Sequence, residues 1–127
     1  MPPNSLMRNL FAGVNRPANP TNPTDLEKRH LPSLSVPPAI RKGESFPVTV
    51  EVGRLLAHPN DCDHFVQFVE LFADDAFLLR VDLTPGIVLP KLTVHVSLTA
   101  PAKSLRAVIR CNLHGLWAGE VALPAMA

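Results

Sequence analysis

Phe46-Pro47-Val48-Thr49-Val50-Glu51-Val52 decides the fold class. Phe46, Val48, Val50 and Val52 fall on one side of an extended chain, and Thr49 and Glu51 on the other. That period of two is the signature of a half-buried strand. Working outward, Phe65 to Phe72 is apolar on both faces, as a strand central to a sandwich is. Phe77, Leu79, Val81 and Leu83 alternate with Leu78, Arg80 and Asp82, and Leu92, Val94, Val96 and Leu98 with Thr93, His95, Ser97 and Thr99. Leu105 to Arg110 and Gly119 to Leu123 add two more short runs. Turn residues separate them at Lys42-Gly43-Glu44, Ala73-Asp74-Asp75, Thr84-Pro85-Gly86 and Pro101-Ala102-Lys103. Six or seven short strands without a long amphipathic helix predict an all-β, immunoglobulin-like antiparallel sandwich of about seven strands. The Cys…Trp…Cys order of antibody domains is absent, so the expectation concerns architecture alone.

A chain of 127 residues is one domain in length and buries a core without disulfides. The formal charge of +1, with Lys and Arg scattered, excludes a nucleic-acid-binding surface. Two cysteines, Cys62 and Cys111, are too few for a disulfide-stapled secreted domain. The apolar pieces of Met1 to Ala18 are broken by Arg8, Asn9 and Asn15, which fits neither a signal peptide nor a membrane span. A reducing cytoplasm is the expected location. Residues 1–25 are dense in Pro and Asn, and proline at that density blocks helix and sheet alike. They read as an irregular arm ahead of a domain spanning 26–127. The arm is expected to be a loose tail; docking of Leu6, Leu10 and Phe11 on the body or on a neighbouring subunit is the alternative.

The chemistry sits in three short motifs: Glu27-Lys28-Arg29-His30-Leu31-Pro32, His58-Pro59-Asn60-Asp61-Cys62-Asp63-His64 and Cys111-Asn112-Leu113-His114-Gly115-Leu116-Trp117. One histidine in a loop is ordinarily a solvated side chain. Three separate elements that each carry imidazole or thiol point to one metal centre assembled from distant loops, the usual place for a site on a rigid sandwich. Imidazole with thiolate suits zinc, iron or copper, whereas calcium and magnesium want oxygen. His30, His58, His64, His114 and Cys111 make five ligands, one more than a tetrahedral structural zinc takes. Five fit a square-pyramidal iron with an open position; a four-ligand zinc site omitting one histidine is the alternative. Cys62 reads as a small loop residue beside the site, and His95 lies on the polar side of its strand.

The three motifs resemble, in the same order, those of the superoxide reductases, namely neelaredoxin and the iron domain of desulfoferrodoxin. The similarity spans about residues 26 to 119. It implies a mononuclear non-haem iron, ferrous or ferric, with His30, His58, His64 and His114 in a plane and Cys111 as axial thiolate. It further implies one-electron reduction of superoxide to hydrogen peroxide, with the thiolate and the N–H groups around it tuning the iron. In the family a lysine directly before the first histidine attracts the anion, and a glutamate before it caps the oxidised iron. Here Arg29 stands directly before His30, with Lys28 and Glu27 each displaced by one. Either Lys28 and Glu27 keep those catalytic roles, or Arg29 supplies the positive charge and Glu27 is out of reach. Desulfoferrodoxins hold a second iron through four cysteines, and no cysteine precedes Cys62. The resemblance therefore implies an external electron donor, such as a rubredoxin-like protein, and a homodimer or homotetramer. Rival readings are a non-catalytic iron-binding module, acting as sensor or carrier, and a sandwich without metal.

Overall fold

The computed structural model describes residues 9–127. Its strands are β1 (Val14–Asn15), β2 (Pro32–Ser35), β3 (Ser45–Val52), β4 (Val66–Ala73), β5 (Ala76–Asp82), β6 (Lys91–Ser97), β7 (Ser104–Cys111) and β8 (Gly115–Ala122); one short helix, α1, covers Asp25–His30. A five-stranded sheet in the order β1-β8-β7-β4-β5 faces a three-stranded sheet in the order β2-β3-β6. Every pairing is antiparallel except β1 with β8. This is the expected β-sandwich, with seven strands in the body and an eighth contributed by the arm. Among the described residues no helix is long and apolar enough to cross a membrane.

The alternation in β3 does what its spacing requires: Phe46, Val48, Val50 and Val52 are buried in the core. Opposite them lie Val69 and Leu71 of β4, Leu105, Ala107 and Ile109 of β7, and Trp117 of β8. Side chains as fully enclosed as Val48 and Leu71 each contribute about 1.5–3 kcal/mol by leaving water. Gly119 is required where the two sheets meet, because a Cβ there would collide with the Pro32 carbonyl oxygen.

Three expectations change. Phe77 is not a core residue but 58% exposed. An irregularity in the β4–β5 register pairs Leu71 with Leu79 but Phe72 with Phe77, which turns Phe77 outward onto the Phe72 ring. The second apolar face of β4 meets no further layer; Arg80 lies over Phe68 at 3.9 Å and Arg106 over Phe72 at 4.7 Å. The last strand begins at Gly115, not Gly119, so Trp117 is a strand residue.

The described part of the arm is not a loose tail. Val14 and Asn15 pair with Leu116 and Trp117 of β8. The buried Asn15 donates through Nδ2 to the carbonyls of Leu10 and Leu116, at 2.6 and 2.8 Å. Leu10 packs against the core while Phe11 stays exposed beneath Arg110. Leu6 lies outside the described residues.

Candidate metal centre

All three motifs converge at the end of the sandwich where β3 and β7 finish and β4 and β8 begin. Thr24 caps α1 by accepting the Glu27 N–H, and the Glu27 carboxylate returns a bond to the Thr24 N–H, at 3.2 and 2.8 Å. This reciprocal box fixes the helix start. Pro32, two residues beyond His30, ends the helix, since the residue before a proline, Leu31, favours extended backbone. His30 is therefore the last residue of a helix, not a loop residue, and Cys111 is the last of β7; His58, His64 and His114 are in loops, as expected.

The imidazoles close a ring. Centroid distances are 4.8 Å for His30–His58, 4.9 Å for His58–His64, 5.1 Å for His64–His114 and 4.8 Å for His114–His30. Cys111 Sγ touches two rings that are not neighbours in that circuit, standing 3.3 Å from His58 Nε2 and 3.6 Å from His114 Nδ1. Donor atoms of His30, His58, His64 and Cys111 all lie within 4.8 Å of one another. Ligands on opposite sides of a single ion stand about 4–4.6 Å apart, so this spacing is close to that of a shared centre.

For His30 and His58 the free nitrogen is defined by the bond of the other one. His30 Nδ1 donates to the Leu26 carbonyl at 2.7 Å, and His58 Nδ1 to the Pro59 carbonyl at 2.6 Å. His30 Nε2 and His64 Nε2 are buried without any hydrogen-bond partner. An unsatisfied buried nitrogen costs about 1–3 kcal/mol, and a metal ion would satisfy both at once. Trp117 backs the arrangement: its indole stacks on His30 at 5.0 Å, and its N–H donates to the His114 carbonyl at 2.9 Å.

Electrostatics keep the nitrogens ready to bind. Burial, helped by the neighbouring imidazoles, lowers His30 to about 4, and burial lowers His58 and His114 as well. Burial pushes the Cys111 thiol up, opposed by the Leu113 and His114 backbone N–H groups and by Arg110. Those N–H groups are the donors expected around the sulfur. A metal cation would lower the thiol and claim the neutral imidazoles. The donor set fits a borderline transition metal and no oxygen-seeking one.

Arg29 donates to the Ala57 carbonyl at 2.8 Å and is among the charges acting on His58. Glu27 is 1% exposed, and its carboxylate accepts the N–H groups of Thr24 and Ala18, tying helix to arm. Cys62 is an exposed free thiol beside Gly86. Asn112 and Trp117, quoted in the closing motif without a role, bond to the backbone carbonyls of Asp63 and His114 respectively; their only signal in sequence is position between and just after Cys111 and His114.

The family model described as desulfoferrodoxin matches residues 22–120. The chain belongs to the desulfoferrodoxin family. This desulfoferrodoxin-family chain is 35% identical over 115 residues to a relative from Methanocaldococcus jannaschii, covering 87% of the chain and 92% of the relative. It is 30% identical over 105 residues to the superoxide reductase of Thermococcus kodakarensis, covering 76% and 88%. Its fold superposes on the superoxide reductase (neelaredoxin) of Ignicoccus hospitalis with a TM-score of 0.67 at 31% identity, covering 74% of this chain and 79% of that one.

Proposed function

We propose that the protein is a superoxide reductase whose centre is a mononuclear non-haem iron. His30, His58 and His64 through Nε2, His114 through Nδ1 and Cys111 through Sγ would hold the iron. The closed circuit of four imidazoles with one buried sulfur against it carries the reading. Bound there, iron supplies the single electron that takes superoxide to the peroxide level.

The chain's own residues do the rest. His30, His58 and Cys111 are buried and keep water from the sulfur side, while His64 and His114 form the more accessible rim. Arg29, exposed and bonded to the loop of His58, supplies the positive charge that draws a small anion toward that rim. A guanidinium does not release protons near neutral pH, so the two protons of hydrogen peroxide come from solvent. Glu27 serves as a positioning residue: its carboxylate joins α1 to the arm and thereby seats His30. The chain's two cysteines are both free thiols, which suits a reducing cytoplasm, and they leave no four-cysteine second iron within these residues. An external, rubredoxin-like protein serves as the electron donor in this reading. Residues 1–25 are the arm and 26–127 the iron-binding domain, with the arm's strand β1 paired to β8.

Iron-loaded protein supplied with a reductant should consume superoxide and accumulate hydrogen peroxide without evolving oxygen. Oxygen evolution, or no consumption by protein carrying one iron per chain, refutes the proposal.

A further inference from the structure

Asn112 lies in the three-residue loop between Cys111 and Gly115, the residues that close the β7–β8 ladder. Its backbone N–H donates to the Phe65 carbonyl at 3.2 Å. Its side chain acts across the same gap: Oδ1 accepts the Phe65 N–H at 2.9 Å, and Nδ2 donates to the Asp63 carbonyl at 2.9 Å. Asp63 and Phe65 are the two neighbours of His64. The β4–β7 ladder reaches its last pair at Val66 and Cys111, and the Asn112 amide continues it by standing in for a peptide group. Only a short side chain with one acceptor and one donor does this; aspartate lacks the donor and serine the span.

The His64 ring leans on the His58 and His114 rings, and its buried Nε2 has no hydrogen-bond partner. Its position is set by its backbone, which forms a tight turn with Asp61, at 2.9 and 3.1 Å, and hangs from Asn112. We propose that Asn112 is a positioning residue for the metal centre: by holding both peptides beside His64, it fixes that imidazole relative to the Cys111 thiol. The proposal rests on the metal-centre reading above. Partners of this kind behind metal ligands change metal affinity about 10–100-fold when removed.

The test is cobalt(II) titration of metal-free protein in competition with a chelator, following the thiolate-to-cobalt absorption. Asn112→Ala should bind cobalt(II) about 10–100-fold more weakly. In a His64→Ala background the same substitution should cost almost nothing further, because a residue acting through His64 has nothing left to position. Where Asn112→Ala does not fold, Asn112→Asp keeps the bond from Phe65, loses the donor to Asp63, and should show the same non-additivity. Wild-type affinity in the single variant overturns the proposal, as do losses that multiply in the double variant, the mark of a general weakening of the fold. A wild-type protein that takes up no cobalt(II) overturns the metal reading itself and the proposal with it, so the two failures are told apart.

Discussion

Acidification should unfold the metal-free protein well before its carboxylates explain it, because of His30. The folded chain holds this imidazole near pKa 4, against 6.5 for an ordinary histidine, and burial is the main cause. Between those two values the unfolded chain binds a proton that the folded chain refuses. Stability is thus complete above pH 6.5, falls as pH is lowered, and reaches its full loss below about pH 4. At about 1.4 kcal/mol per pH unit, the whole window removes roughly 3 kcal/mol, and roughly 2 kcal/mol is gone at about pH 5. His58 and His114, lowered for the same reason, act in the same direction. That is a large share of the 5–15 kcal/mol typical of a domain. Urea denaturation of metal-free protein at about pH 7.5 and about pH 5 measures it directly. His30→Gln should abolish most of the difference. Equal stability at the two pH values, or an undiminished difference in His30→Gln, refutes the reasoning.

Other outcomes follow from single contacts. Arg29→Gln should slow the reaction of the iron form with superoxide several-fold and flatten its dependence on ionic strength, read by pulse radiolysis at low and high salt. Trp117→Phe keeps a ring against His30 but loses the N–H bond to the His114 carbonyl; about 1–3 kcal/mol of stability and about tenfold in cobalt(II) affinity should be lost, seen by urea denaturation and chelator competition. Gly115→Ala should cost about 2–4 kcal/mol, because φ there is +81° and the new Cβ would strike the Leu10 carbonyl. Limited proteolysis of that variant should cut the arm first, since Leu10 must lift away.

The imidazole and thiol cluster was the legible part of this protein, and its supports were not. His30, His58, His64, Cys111 and His114 announce themselves because imidazole and thiol are scarce and their spacing is short. The strand pattern of β3 and β6 was equally open to reading, since burial on one face forces alternation. Phe77 was misread because a shift of one residue in pairing with β4 reverses which side faces in, and no residue type marks it. β2 was passed over because it starts on Pro32 and ends just before two more prolines, tolerable only for a strand at a sheet edge. The helix escaped notice at six residues, although Thr24 with Glu27 three positions on is a written start signal. The arm's docking depends on backbone carbonyls of Leu10 and Leu116 reached by Asn15, and carbonyls are the same in every residue.

The circuit of imidazoles draws its first member from α1 and its last from the β7–β8 hairpin, about two thirds of the chain apart. A ribosome delivers these parts in order, His30 early and the buried Cys111 thiol close to the end. An unfinished nascent polypeptide therefore carries His30, His58 and His64 before β7, the strand that pairs with β4 and ends in Cys111, has emerged. On the metal reading proposed above, the full set of donors exists only in the completed chain, so uptake of the ion follows synthesis.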